Sequence, residues 1–200
     1  MNVSIIIPTL NSEKTIETNI DSIINQTFKD FEVIVVDNNS TDKTIEIIKR
    51  KNIPNIKFIV EKDKGIFDAI NKGIKLSNNQ LISVLHSDDV YFDKYVLQNV
   101  VNAFRIEIEA DIIYGDLIYV KKNNLNSMLR YWKPGEYLKN SFFKGWHPPH
   151  PSFFCKKTLF EKYGYYNLEN GNSADVELMY RFLETYSIQS KYINKTLVKM

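Results

Sequence analysis

Gln80-Leu81-Ile82-Ser83-Val84-Leu85-His86-Ser87-Asp88-Asp89 decides how the rest of this 200-residue chain is read. An apolar run of strand type stops abruptly at two adjacent carboxylates. In an open α/β sheet, ligands collect outside the carboxyl ends of the strands, where Asp88 and Asp89 would sit. Two neighbouring acids at such an edge repel each other and gain little unless a cation lies between them and something anionic. Hard oxygen ligands suit Mg2+ or Mn2+, and such ions commonly use one or two carboxylates plus a substrate's phosphates. An Asp-Asp turn that merely closes a strand is the competing reading, because Asp is a common turn residue. What else reaches the same edge decides between them.

Upstream, three more apolar runs end in turn or charge: residues 3–7 before Pro8, 31–36 before Asp37-Asn38-Asn39-Ser40-Thr41-Asp42, and 56–60 before Glu61-Lys62-Asp63-Lys64-Gly65. Their continuity suits strands buried on both faces. Between them lie helical stripes: Ile16, Ile20, Ile23 and Ile24 after a cap at Asn11 or Ser12, then Ile45, Ile47 and Ile48 ending at Asn52 and Pro54. Ile66, Ile70 and Ile74 form a third stripe, with Gly73 awkward inside it. Strand and helix alternate with short connections, which predicts a Rossmann-like, mostly parallel sheet with right-handed crossovers. Every strand then ends on one edge. Asp37, the 63–68 loop and Asp88-Asp89 come together there although they are far apart in sequence.

The pattern changes near residue 110. A helix through Leu97, Val100, Val101 and Phe104 leads to a strand and turn over 111–116, then to a hairpin of 117–120 and 129–132 around the polar run 121–127. Three prolines make Gly145-Trp146-His147-Pro148-Pro149-His150-Pro151 irregular. A short strand over 152–155 holds Cys155; Asn172-Ser173 caps a helix with Asp175 and Glu177 in its first turn and Leu178, Phe182 and Leu183 inward; strands follow over 188–193 and 196–198. With no Pro/Gly-rich linker, residues 1–200 read as a single domain, a nucleotide-type half over 1–110 and a mixed half over 111–200. The last strand has no terminator after Val198, so a further C-terminal segment is expected.

Composition sets limits. With 26 basic and 24 acidic residues, net +2, nothing argues for a nucleic-acid partner. The lone cysteine excludes an internal disulfide and fits a reducing compartment. The N-terminus is too short and too poor in basic residues for a signal peptide, and no apolar run approaches membrane-spanning length. The expected location is cytoplasmic.

The residues resemble a known family. Ser4-Ile5-Ile6-Ile7-Pro8-Thr9-Leu10-Asn11, Val35-Val36-Asp37-Asn38-Asn39-Ser40-Thr41-Asp42, Lys64-Gly65-Ile66-Phe67-Asp68-Ala69-Ile70-Asn71-Lys72-Gly73 and Leu85-His86-Ser87-Asp88-Asp89 are similar, in order and spacing, to the motifs of family 2 glycosyltransferases. The resemblance implies a GT-A fold with the mixed half on the acceptor side, and inverting transfer from a nucleotide-diphosphate sugar, with a UDP-sugar expected. It implies Mn2+ or Mg2+, an acceptor that is a glycan or lipid-linked oligosaccharide of a bacterial cell surface, and a place at the inner face of the cytoplasmic membrane. The expected C-terminal segment would carry a membrane-associating helix or a homodimer contact. By the same resemblance Asp37 reads the nucleotide base, Pro8, Thr9 and Asn11 pack beside base and ribose, and Asp68 lines ribose and donor sugar with Asn71 and Lys72 close by. For Lys72 a phosphate contact and a solvated helix lysine stay open. Asp89 is the direct metal ligand and Asp88 the ribose or metal-shell contact, with Ser87 where the family's Asp-x-Asp motif has its first acid. Ser173-Ala174-Asp175-Val176-Glu177-Leu178 matches the segment that holds the family's general base, so Asp175 takes that role. Without the resemblance, the helix macrodipole alone would favour an Asp there.

His147 and His150 have an i, i+3 spacing that invites zinc, but the prolines between them and the absence of a second cysteine argue against it. A loop near the diphosphate or acceptor fits better, with His150 ahead of His147 and Trp146 either stacking on an acceptor sugar or anchoring the loop. A dinucleotide-dependent oxidoreductase would need a Gly-x-Gly-x-x-Gly turn where Pro8-Thr9-Leu10-Asn11 stands. A non-catalytic nucleotide-sugar-binding module is the alternative from another class, and retention of Asp37, Asp88, Asp89 and Asp175 argues against it.

Overall fold

The computed structural model describes residues 1–51, 53 and 55–200, so the helix stop expected at Asn52 and Pro54 lies outside the described residues. Val3–Thr9 (β1), Phe31–Asp37 (β2), Ile56–Val60 (β3) and Leu81–Val84 (β4) lie side by side and parallel in the order β3-β2-β1-β4. The crossovers are Ile16–Ile24 (α1), Thr44–Arg50 (α2) and Ile66–Leu76 (α3). Every residue of β1 and β2 is buried, as the unbroken apolar runs demand. Ile5, Ile7, Val33 and Val35 face the α1 and α2 side, whereas Ile6, Ile34 and Val36 face α3. Thr9 pairs with Asp37 and Asp37 with Val60, so three strands end level.

Two local readings change. α1 starts at Ile16 with Thr15 at its N-cap position, later than a cap at Asn11 or Ser12 would allow. The Ser12 carbonyl accepts from the Thr15 and Ile16 amides, while the side chains of Asn11 and Ser12 are used by neighbouring loops. On α3, Ile66 is exposed and Ala69 takes its place beside Ile70 and Ile74. Gly73 has a clear reason: a Cβ there would lie 2.5 Å from Ile6 Cγ2, so the helix rests directly on β1.

Val90–Tyr91 (β5), Val96–Ile106 (α4), Ile112–Lys121 (β6), Asn124–Trp132 (β7), Phe153–Lys156 (β8), Thr158–Tyr163 (α5), Ala174–Tyr180 (α6) and Ser190–Lys199 (β9) complete the chain. β8 runs antiparallel to β4 and β6, β9 is parallel to β6, and β5 and β7 pair antiparallel with β9 and β6. The result is a mostly parallel first half continued by a mixed second half in one sheet, the α/β class expected. α6 runs on into one turn of π-helix, Arg181–Thr185.

The strand and turn expected over 111–116 and the strand over 117–120 are one strand, and the two expected C-terminal strands likewise merge into β9. Their mutual pairing carries both through the interruptions, with register shifts on either side of Asp116. Gly115 sits at that irregularity, where a Cβ would meet the Lys195 carbonyl oxygen at 2.6 Å. A backbone atom cannot rotate aside. Gly115→Ala should therefore cost about 1–3 kcal/mol of stability, as overpacking of a tight contact does. Thermal unfolding would show this as a fall of several degrees in Tm; an unchanged Tm would mean that β9 yields freely.

Candidate active site

Side chains lace the loops at the carboxyl edge to one another. Asn11 Oδ1 accepts from the Thr41 amide at 2.9 Å, and the Asn11 amide donates to Ser40 Oγ at 2.8 Å. The Asp63 amide donates to Asn38 Oδ1 at 3.0 Å, and Ser12 and Ser87 share a hydroxyl–hydroxyl bond of 2.7 Å. First, second, third and fourth loops are thus joined in a row. A cleft of about 640 Å³ opens beside them, lined by Leu10, Asn11, Ser87 and Asp88 and, across from these, by Lys122 and Leu125 of the β6–β7 hairpin.

The two central acids take opposite positions. Asp88 is exposed and lines the cleft, whereas Asp89 is 1 % exposed. Asp88, expected as the ribose or metal-shell contact, thus faces the cleft, and Asp89, expected as the direct metal ligand, points inward. The cause is local: the Asp89 amide donates to the His86 carbonyl, and Asn19 Nδ2 donates to the His86 and Asp89 carbonyls at 2.8 and 2.7 Å. That turn points Asp89 inward. Asn19 is the polar member of the buried face of α1, a signal present in the sequence but unused.

Burial, and then the neighbouring Asp88 charge, pushes the Asp89 carboxyl up to about 8. Burial also draws His86 below its ordinary value, against the opposing pull of the Asp88 and Asp175 charges. The 3.7 Å contact between His86 Nδ1 and Asp89 Oδ2 is therefore between neutral groups. Among the described residues, Asp89 Oδ2, His86 Nε2 and Asn19 Oδ1 are buried polar atoms without a hydrogen-bond partner.

The other expected residues divide. Asp175, in the first turn of α6, is half-buried, accepts from the Val176 amide, and has its charge felt at both His86 and Tyr166. Asp37 is fully buried; its two carboxylate oxygens take the Ser40 amide at 2.7 Å and the Ser40 hydroxyl at 2.6 Å, so it closes its own turn. Pro8 and Thr9 are buried beside it. Burial would raise Asp68, but the Lys64 amide and the Lys72 ammonium hold it below the usual carboxylate value. Lys72 is committed to Glu61 at 3.0 Å, the Lys62 carbonyl at 3.0 Å and Asp68 at 3.4 Å, which leaves its ammonium little to offer a phosphate.

His150 is 6 % exposed, its Nε2 2.8 Å from Tyr166 Oη; burial and then the adjacent His86 push it down to about 3. It is a neutral, buried ring packed between Tyr166 and His86. Trp146 anchors its loop, donating from Nε1 to the Pro134 carbonyl at 2.7 Å and packing on Tyr114, Tyr137 and Phe142. Cys155 is buried in β8.

A divalent cation fits the chemistry of this edge. Asp88 offers hard oxygens to the cleft, and behind it the unpartnered Oδ2 of Asp89 is an oxygen that a nearby cation would draw to its ionised form. Among the described residues no group of three or more His, Cys, Asp and Glu is arranged to hold a metal, and an ion held by one or two carboxylates would take its remaining ligands from substrate phosphates and water.

Asp89 also sets a pH dependence. A carboxyl whose folded pKa stands above its unfolded one keeps a proton that the unfolded chain releases. Its contribution to stability therefore falls as pH climbs from 3.8 towards about 8. Metal-free protein should lose Tm across that window, and Asp89→Asn should flatten the profile. An equal slope in the variant would remove Asp89 as the cause.

Comparison with known proteins agrees with this edge. Residues 4–164 match the sequence profile of Glycosyl transferase family 2. A PGL/p-HBAD biosynthesis glycosyltransferase of Mycobacterium bovis (strain BCG / Pasteur 1173P2) is 32% identical over 197 residues, covering 96% of this chain and 73% of that protein. The chondroitin synthase of Escherichia coli is 35% identical over 114 residues, which are 56% of this chain and 16% of that one. Among solved structures, S. aureus TarS superposes with a TM-score of 0.76 at 22% identity, covering 100% of this chain and 60% of that chain. The mannosyltransferase PcManGT from Pyrobaculum calidifontis, solved with GDP-Man and Mn2+, gives 0.73 at 18% identity over 100% of this chain and 56% of that one. The fold is that of the GT-A glycosyltransferases, and with the profile match and the 32% identical relative the chain belongs to the family 2 glycosyltransferases.

Proposed function

We propose that the chain transfers a sugar, with inversion, from a nucleotide-diphosphate sugar to a hydroxyl of a glycan or lipid-linked acceptor, with Asp175 as general base. One feature carries this reading: the half-buried His86, in the turn that holds Asp88, packs 5.7 Å from the His150 ring of the second half and feels the charges of both Asp88 and Asp175. An anion-bearing leaving group on one side and a proton acceptor on the other are what in-line displacement at a sugar carbon requires. Asp175 removes the acceptor hydroxyl proton as that oxygen bonds to the anomeric carbon, and the bond from that carbon to the diphosphate oxygen breaks. Asp88, with Asp89 behind it, faces the diphosphate and would hold Mn2+ or Mg2+. When bound, the ion neutralises the charge that gathers on the departing nucleoside diphosphate. Asn11, Asp37 and Ser40 shape the base-side loop, and Asp68 faces the donor-sugar side.

Solved relatives support the donor class, since TarS binds UDP and UDP-GlcNAc and PcManGT binds GDP-Man with Mn2+. A UDP-sugar is the first choice here. A lipid-linked acceptor would bring the enzyme to the inner face of the cytoplasmic membrane as a peripheral visitor; no helix among the described residues is long and apolar enough to cross one.

A thermal-shift screen of UDP-, GDP-, CDP- and dTDP-sugars with Mn2+ tests donor choice, because a ligand well above its Kd raises Tm. With the selected donor, Asp175→Asn should lower turnover by about 10²–10⁴-fold while nucleotide affinity is kept, as loss of a general base does. Asp88→Asn should cost about 3–4 kcal/mol of transition-state stabilisation, several hundredfold or more in rate. Near-normal turnover in Asp175→Asn would falsify the base assignment, and nucleotide-sugar affinity without any turnover in the native chain would leave a binding module.

A further inference from the structure

Asn71 stands in α3 beside Asp68 and Lys72, residues for which the family resemblance implies a place near the donor. Its side chain goes elsewhere. It is 8 % exposed and exchanges two hydrogen bonds with the backbone of Tyr166: Nδ2 donates to the Tyr166 carbonyl at 2.9 Å, and Oδ1 accepts from the Tyr166 amide at 3.0 Å. This pair spans the two halves of the molecule, from α3 to the turn that follows α5.

The same turn is gripped from its other side. Arg181, one residue beyond α6, donates to the carbonyls of Tyr163, Gly164 and Tyr165, with 3.0 Å to Gly164 and 2.8 Å to Tyr165. Glu177 holds the guanidinium in place through a 2.7 Å contact to Nε. Asp175 lies in the first turn of that helix. The Tyr166 ring stacks on Phe67 of α3 at 5.3 Å, and its hydroxyl meets His150, whose ring lies 5.7 Å from that of His86. Residues 163–166 are thus a bridge, with α3 fastened at one end by Asn71 and α6 at the other by Arg181.

We propose that Asn71 is a positioning residue for transfer: its amide sets the wall that carries His150 and Asp175 against the strand edge that carries Asp88. The inference rests on the reading of Asp175 as general base. Only an amide can serve, since the site needs a donor and an acceptor side by side. A carboxylate at the same volume would face the Tyr166 carbonyl with a second acceptor. Misplacement of a reacting group by about 1 Å costs on the order of 100-fold in rate, so a small shift of the bridge is enough.

The test compares Asn71→Asp with the native chain, using UDP as binding probe and, for turnover with water as acceptor, the nucleotide sugar that gives the largest thermal shift. Turnover per UDP-binding site should fall about 10–100-fold. UDP affinity and donor KM should stay within about twofold, because the loops after β1 to β4 are untouched. Loss of structure alone would lower the number of sites and leave turnover per site unchanged, and that outcome overturns the proposal. Arg181→Lys, which gives up the fork over the carbonyls, should show the same split between kcat and KM and replaces Asn71→Asp if that variant does not fold. Hydrogen exchange supplies a readout independent of turnover: in Asn71→Asp, protection should drop from Tyr166 through α6 and stay constant in β1 and β4. A change confined to Tyr166 would also overturn the proposal. Asp175→Asn separates the two ideas: if it keeps native turnover the base assignment fails, while a spread of exchange into α6 still supports the bridge.

Discussion

The structure depends on one constraint, the burial of β1 on both faces and both edges. Its neighbours β2 and β4 take its hydrogen bonds, α1 and α2 cover one face, and α3 covers the other. A strand so enclosed must be apolar throughout, and its parallel partners must be reached by crossovers. Crossovers return each chain segment to the same starting edge. Every loop at the opposite edge is then free to be polar, and the chemistry collects there. Gly73 shows how tightly the arrangement is drawn, with the α3 backbone lying on the Ile6 side chain.

Those polar loops do more than face solvent. Asn11 with Ser40, Asn38 with Asp63, and Ser12 with Ser87 bond across loop boundaries, so the cleft has a pre-formed rim. An exposed loop costs little to hydrate but is mobile; a loop whose donors and acceptors are met by its neighbours holds its shape before a ligand arrives. The reward for this order is geometric, since transfer needs its reacting groups held near contact distance.

Electrostatics at the centre follow from burial. Asp89 and His86 are both pressed towards their neutral forms, and of the two adjacent acids it is Asp88 that faces the cleft. Unpartnered atoms on Asp89, His86 and Asn19 lie within this cluster. Buried polar atoms without partners are rare and expensive, and they gather where a bound group will later satisfy them. One tie between the two halves is the turn of residues 163–166, clamped from two helices.

Local pattern was sufficient for much of this. Apolar runs and helical stripes along residues 3–85 determined the order of strands and helices, and parallel connectivity determined that Asp37 and Asp88 share an edge. The motif order pointed to the family. In the second half, the expected break at Asp116 was overridden by long-range pairing of β6 with β9, which no local window contains. The directions of single side chains were also decided by tertiary contact alone. Asp88 faces the cleft and Asp89 the interior because Asn19, about 70 residues away in sequence, holds the His86 and Asp89 carbonyls. Asp37 turns into its own loop, and Asn71 turns from the donor side to Tyr166 across 95 residues of chain. Periodicity states which face an element buries; the hydrogen-bond partner of a polar group is set by whatever the fold brings beside it.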